Sequence, residues 1–280
     1  MALADRLDPD KIAANLKTKR IGRTVVVHDV TSSTNDVAAA YARNPAHDSL
    51  VVFAEQQTAG RGRTGATWQS AHGASLLFSF VLIDCGLESE LLSLVCAVAV
   101  AEALGQIAGS QTQIKWPNDI MLAGKKIGGI LVESKVPRGD SVKYQVSSVK
   151  TSNFRLQTSD FIVGIGINCH QQRESFPPEL RETATSIDLA SGARCDRTIL
   201  ARRVLASLDH WLTTAESDDQ RVIDAWNRLS TQRGQRVTLA YNGRTFTGTC
   251  IGVDPAQGLI LQLDRGGIRM FDAAHTHIVK

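Results

Sequence analysis

Glycine alternates with arginine in Gly60-Arg61-Gly62-Arg63-Thr64-Gly65, immediately after the apolar run Leu50-Val51-Val52-Phe53-Ala54 and its polar end. The glycines let the backbone turn its N–H groups toward one point and bring no Cβ atoms to hold a ligand away. Each arginine between them adds a permanently charged planar fork suited to carboxylate or phosphate. Such a loop at a strand end can close over an anion; a plain surface loop, or an Arg61/Arg63 contact with a nucleic-acid backbone, would use the same residues. Farther along, Lys126 stands beside Gly128-Gly129 at the head of Ile130-Leu131-Val132. A lysine there can be a solvated strand end, but glycines weaken a strand unless something approaches its backbone. Asn168 closes Gly164-Ile165-Gly166-Ile167, where an amide either forms a turn or reads the edge of adenine. Thr31-Ser32-Ser33-Thr34-Asn35 precedes an Ala-rich helical run; a cap needs only one of these residues, and the other hydroxyls remain free to meet a polar ring.

Composition narrows the chemistry. The chain has 280 residues, 43% hydrophobic and 21% charged, enough for one large domain and a small one. Of its net charge of +3, residues 231–280 hold six basic residues against three acids, leaving the larger part neutral and unsuited to general nucleic-acid binding. The five cysteines (Cys85, Cys96, Cys169, Cys195, Cys250) are odd in number, scattered and without a CxxC pair, which suggests neither a zinc site nor a disulfide framework. The first residues lack a signal-peptide apolar core, and the run Leu91–Leu104 is too short to span a bilayer. These features imply a reducing, cytoplasmic location.

The elements that must position these residues follow from periodicity. Asp8-Pro9 is an N-cap and N1 pair for a short helix filling most of the first 20 residues. Strands are expected at Thr24–Val27, Leu50–Ala54 and Ser75–Val81, and a buried helix at Glu88–Leu104. Ile120-Met121-Leu122, the turn Ala123-Gly124 and 125–133 form a hairpin, and 161–168 a central strand apolar on both faces. Lys135–Thr158 reads as a long exposed hairpin, 176–187 as loops, and about 198–214 and 219–229 as amphipathic helices. From Gln232 the texture changes to about five short strands with turn signals such as Asn242-Gly243, which suggests a small SH3-like barrel.

Taken together, GRGRTGATW (60–68), KWPND (115–119), KKIGGILVE (125–133), GIGIN (164–168) and TSSTN (31–35) resemble the biotin protein ligases, in that family's order and spacing. The resemblance runs from about residue 24 to the C-terminus and implies an α+β fold, a mixed-sheet, class II synthetase-like core with a C-terminal SH3-like barrel. It divides the chain into a helical extension (1–23), a catalytic biotin- and ATP-binding domain (24–231) and the small domain (232–280). The implied reaction joins biotin and ATP into biotinoyl-5'-AMP and passes the acyl group to a lysine of a carboxylase's biotin carrier domain. Because the substrate supplies the nucleophile, no nucleophilic side chain is required, only positioning and preorganised positive charge.

By motif, Ser33, Thr34, Asn35 and Gln57 should hold the ureido ring, and Arg61, Gly62 and Arg63 should close over the biotinyl chain and adenylate. Lys126, with Arg61, should act between the biotin carboxylate and the α-phosphate, and Gly129 should leave room for the ligand. Trp68 and Asn168 should meet adenine, and Lys115 and Asn118 the rest of ATP. Asp119 lies where Mg²⁺ could be met. The chain departs from the pattern at Ala66, where a basic residue is common, and in the length of Lys135–Thr158. Residues 1–23 cannot hold the three helices of a helix-turn-helix, so the resemblance is to the monofunctional type, without specific DNA or membrane partners; a homodimer is compatible with it. Two other readings use the same residues: a lipoate protein ligase, and a nucleic-acid-binding protein built on the Arg61/Arg63 loop and the basic C-terminal segment.

Overall fold

Strands of the first sheet are β1 (Val25–Thr31), β2 (Val51–Gln57), β3 (Ser75–Cys85), β4 (Thr112–Lys115), β5 (Asp119–Leu122), β6 (Lys125–Lys135) and β7 (Ser159–Asn168). They lie in the order β1-β2-β3-β7-β6-β5-β4 in a computed structural model that describes residues 5–109, 111–135 and 159–279. β1 runs parallel to β2 and the other pairs are antiparallel, giving the mixed sheet expected. Most of the segment expected as an exposed hairpin, 136–158, lies outside the described residues.

Strand alternation decides what each face does. On β3, Leu76, Phe78, Phe80 and Leu82 face the main core, whereas Val81 and Ile83 face a smaller cluster with Ala38 and Ala42. The main core packs under α3 (Ser89–Ala108), α5 (Arg197–Ser217) and α6 (Asp219–Leu229); the smaller one is covered by α2 (Thr34–Tyr41). α3 is buried almost all round and is long and apolar enough by composition to cross a membrane, yet here its sides are taken by the sheet, α5 and α6. It runs four residues past the expected end at Leu104, because Ile107 and Ala108 still find apolar neighbours before Gly109 caps it in the left-handed conformation.

Local signals gave element ends unevenly. α1 starts as expected, Asp8 accepting from the N–H groups of Asp10 and Lys11, but it spans only Pro9–Ala13. β1 continues through Thr31, since pairing with β2 carries the strand past the polar residues Asp29 and Thr31. At the end of the expected loops, Ile187–Ser191 forms a one-turn helix, α4, capped by Ser186, in a stretch that carried no expectation from sequence.

The second sheet contains β8 (Arg236–Tyr241), β9 (Arg244–Asp254), β10 (Gly258–Leu263), β11 (Ile268–Phe271) and β12 (Thr276–Val279), in the order β11-β10-β9-β8-β12. It is antiparallel throughout and compatible with an SH3-like fold, although no pairing closes β11 on β12 among the described residues. Asn242 and Gly243 both take positive φ, as the two-residue hairpin turn demands. This sheet is tied to the first by Gln232, whose side chain accepts from the Trp116 N–H at 3.0 Å, and by the N–H of Thr231 donating to the Ile114 carbonyl at 2.9 Å.

Candidate active site

On β7, Phe161, Val163, Ile165 and Ile167 face the main core, leaving Ile162, Gly164, Gly166 and Asn168 on the opposite face. The register sets Gly166 beside Gly129 of β6, and Gly164 beside Leu131 of β6 and Ser79 of β3. The glycines therefore make a flat floor. A Cβ on Gly164 would lie 2.2 Å from Asn35 Oδ1, and one on Gly166 would lie 2.6 Å from the Trp68 ring, so a side chain at either position would displace the one now packed on it. Over this floor opens a cleft of about 360 Å³, within the roughly 300–1,000 Å³ common for small-ligand sites.

One end is lined by Ser33, Thr34, Asn35 and Gln57. Ser33 occupies the N-cap position of α2, but its side chain makes no capping bond, so the helix start does not consume it. Gln57 Oε1 accepts from the Thr34 N–H at 2.7 Å and its hydroxyl at 3.0 Å. The Ser79 hydroxyl lies 2.7 Å from Thr34 Oγ1 and 2.5 Å from Asn35 Oδ1. The group is a set of buried hydroxyl and amide side chains fixed by one another.

Lys126 stands at the centre. A β-bulge between Ile120 and Met121 shifts the β5–β6 register and re-aims the strand at this residue. Its backbone also pairs with the loop, donating to Thr183 at 2.8 Å and accepting from Thr185 at 2.9 Å. Its ammonium lies 2.5 Å from Asp119 Oδ1. Lys115 and Asn118 line the wall beyond, Asn118 donating to the Ile130 carbonyl at 2.6 Å.

The glycine–arginine stretch is an ordered hairpin, with Arg61 bridged to Thr67 and a tight turn at Arg63–Gly65. Not every N–H of the stretch is free to meet an anion: that of Gly62 donates within the hairpin to Ala66 at 2.7 Å, as that of Trp68 does to Gly60 at 2.9 Å. The two arginines differ sharply. Arg61 pairs with Asp36 at 2.8 Å and Glu133 at 3.4 Å, and these contacts, led by the Asp36 hydrogen bond, hold its pKa above the ordinary value. Arg63 donates to the Ala273 carbonyl in the turn between β11 and β12 and has no ion pair among the described residues; burial lowers its pKa, with Glu90 and Asp119 opposing. Trp68 rests on Gly129 and Gly166 with its indole N–H buried and unpartnered.

Asn168 does not line the cleft. It is buried at the end of β7, its Nδ2 donating to the Thr185 carbonyl at 3.0 Å and its Oδ1 accepting from Gln171 at 3.0 Å. The structure thus brings together every expected site residue except this one.

Residues 27–151 match the model of the biotin/lipoate A/B protein ligase family. Over 271 residues the chain is 34% identical to the bifunctional ligase/repressor BirA of Bacillus subtilis, covering 96% of this chain and 78% of that protein. The chain belongs to the biotin protein ligase family. It is also 29% identical over 277 residues to the biotin–[acetyl-CoA-carboxylase] ligase of Mycobacterium tuberculosis, covering 94% of this chain and 93% of that one. Among solved structures, an arginine-to-glycine variant of the Aquifex aeolicus biotin protein ligase, in complex with biotin, superposes with a TM-score of 0.73 at 25% identity, covering 92% and 99% of the two chains. The same enzyme in complex with biotin and ATP gives 0.74 at 24% identity, with the same coverage, and so supports the fold.

Within this ligase fold, sequence reasoning missed Thr276, His277 and Ile278 of β12, which line the cleft opposite the hydroxyl end. No local signal marks them, because only the docking of the second sheet brings them there. Glu133 and Asp36 were missed as partners of Arg61, although Glu133 ends the stretch 125–133 and Asp36 directly follows Asn35.

Proposed function

We propose that this protein forms biotinoyl-5'-AMP from biotin and ATP and transfers biotin to a lysine of a carboxylase's biotin carrier domain. The observation that carries the reading, in a chain of this family, is a cleft with hydroxyl and amide groups at one end and Lys126, Lys115 and Arg63 toward the other. In the first step a biotin carboxylate oxygen bonds to the α-phosphorus of ATP while the bond to the β-phosphate oxygen breaks, releasing pyrophosphate. In the second, the carrier amine attacks the acyl carbon, loses a proton and expels AMP.

On this reading Ser33, Thr34, Asn35 and Gln57 take the ureido ring. The glycine floor admits the biotinyl chain, with Gly62 and Gly129 beside it. Lys126 leaves Asp119 to stand between carboxylate and α-phosphate, an exchange that keeps the ammonium paired until anions arrive. Arg61 meets the carboxylate side, Arg63 the adenylate, and Trp68 moves off the floor to stack on adenine; Lys115 and Asn118 border the nucleotide. Asn168 supports this wall from behind. Asp119 is the one carboxylate lining the cleft among the described residues. A Mg²⁺ ion held by Asp119, ATP phosphates and water would fit that donor set and would neutralise phosphate charge. The division into residues 1–23, 24–231 and 232–280, a cytoplasmic location, a capacity to homodimerise and the lack of specific DNA binding belong to the same reading.

The deciding experiment is pyrophosphate release from ATP in the presence of biotin or lipoate. Release dependent on biotin alone is expected; release with lipoate alone, or with neither acid, would reject the assignment.

Arg63→Gly should separate the half-reactions. Adenylation survives in part because Lys126 remains, but the hairpin loses its bond to Ala273 and gains backbone freedom. Biotinoyl-AMP, a reactive mixed anhydride, then escapes a site that should exclude water. Biotin incorporation into albumin should rise to several times the wild-type level at equal enzyme and ATP. Wild-type labelling with adenylation intact would remove Arg63 from the retaining role.

A further inference from the structure

Glu133 lies on the same face of β6 as Gly129 and Leu131, at the edge of the cleft floor, and its register partner is Ile162 of β7. Glu133 Oε2 accepts from Asn35 Nδ2 at 2.7 Å and from Arg61 Nη2 at 3.4 Å. The same Arg61 nitrogen donates to Asp36 Oδ1 at 2.8 Å. One oxygen atom therefore joins a side chain at the hydroxyl and amide end of the cleft to the arginine of the covering hairpin.

We propose that Glu133 is a positioning residue that latches the glycine–arginine hairpin to the ring-binding end of the cleft and couples closure of one to order in the other. This inference rests on the biotin ligase reading for its effect on catalysis, but not for the latch itself.

Two physical arguments support it. First, an ionised carboxylate only accepts hydrogen bonds, so it fixes the Asn35 amide with its NH₂ toward β6 and its oxygen toward the Ser79 hydroxyl. That orientation places Asn35 Oδ1 directly over Gly164, 2.2 Å from where a Cβ would stand. An uncharged partner would permit the opposite orientation as well, and the polar end would lose its single arrangement. Second, Arg61 is balanced by two carboxylates, with Asp36 held below its ordinary pKa chiefly by the Arg61 hydrogen bond. Asp36 and Glu133 hold the Arg61 guanidinium in one place before a ligand carboxylate arrives. The latch therefore presents the hairpin to the ligand already placed.

The test compares wild type with Glu133→Gln, an isosteric change at a side chain that is 39% exposed and so compatible with folding. Trypsin cleavage after Arg61 and Arg63, followed by mass spectrometry without substrates, reads the latch. The expected increase in cleavage rate is roughly 3–5-fold, the scale of one half-exposed charged contact. Asp36→Asn should raise it similarly, which serves as a second variant if Glu133→Gln folds poorly. In biotin-dependent pyrophosphate release, Glu133→Gln should raise KM for biotin by roughly the same factor with kcat little changed. That KM effect should vanish when the change is made in an Asn35→Ala background, because the shared path is already broken. Cleavage at the wild-type rate in both variants, an unchanged KM, or an effect that simply adds to that of Asn35→Ala would each overturn the proposal. If wild type releases no biotin-dependent pyrophosphate, the functional reading fails, and the trypsin comparison still decides the latch.

Discussion

Replacing Lys126 by alanine should leave a folded protein whose biotin-dependent pyrophosphate release falls roughly 10²–10³-fold, the usual loss for one preorganised charged donor. The fold should survive because the Lys126 side chain is 40% exposed and what holds β6 at this point is backbone: its bonds to Thr183 and Thr185 and the bulge opposite. The half-exposed pair with Asp119 contributes only about 0–1 kcal/mol. Catalysis is different. A carboxylate and a triphosphate must approach within bonding distance, and Lys126 is the cation nearest the centre of the floor. Asp119→Asn alone should weaken activity less than Lys126→Ala, and Lys126→Ala/Asp119→Asn should be no more active than Lys126→Ala, since Asp119 is also the carboxylate that would hold Mg²⁺. Pyrophosphate release by Lys126→Ala within a few-fold of wild type would take the central role away from this residue.

The parts of this site that were legible in sequence are those whose residue types contradict their local element. Gly129, a glycine that weakens its strand unless something approaches it, has Trp68 and Lys126 against it, whereas Gly164 and Gly166, with Asn35 and Trp68 where their side chains would be, were not read as part of the site. The hydroxyl cluster before α2 exceeded what a cap requires, and Ser33 indeed sits at the cap position without capping. The hairpins, the buried helix α3 and the two amphipathic helices followed from apolar period and turn chemistry, with boundaries set later by tertiary pairing. What stayed hidden depends on long-range placement. Nothing near Thr276–Ile278 announces a cleft, and the mate of Arg61 at position 133 lies 72 residues away across two strands. Asn168 shows the converse error: the residue type suited an adenine edge, but the chain after β7 folds back, and Thr185 and Gln171 take both ends of the amide.

The same reasoning missed a buried ion pair behind the site, and breaking it should have a large effect on stability. Arg197, the first residue of α5, is 2% exposed and donates to Glu55 Oε2 at 2.7 Å, to the Ser75 carbonyl at 3.1 Å and to Asp5 Oδ2 at 2.9 Å. Glu55 is 1% exposed and lies two residues before Gln57 on β2, so the cluster stands directly behind the cleft. Arg197→Ala leaves the Glu55 carboxylate with the Leu7 N–H at 2.7 Å as its one remaining hydrogen-bond donor among the described residues. Breaking a buried pair this way costs roughly 3–5 kcal/mol. For a chain of this size that should lower Tm by about 10 °C or more. Glu55→Gln in the Arg197→Ala background should restore part of the loss, because it removes the stranded charge. The acid side of the cluster has a defined sign. Burial pushes the Asp5 carboxyl up, but hydrogen bonds from His170 and Arg197 outweigh this and bring it from 3.8 to about 2. Its contribution is therefore present above about pH 4 and lost as pH falls through 2. His170, raised by Asp5 and then Asp188 against burial, contributes fully below its ordinary 6.5 and loses that contribution as pH rises through its higher folded value. Thermal unfolding from pH 3 to 9 should accordingly show the N-terminal anchor strongest between about 4 and 6.5 in wild type, with the acid-side dependence flattened in Arg197→Ala. A variant that melts within 2–3 °C of wild type, roughly one kcal/mol, would mean that Glu55 is neutralised by means other than Arg197.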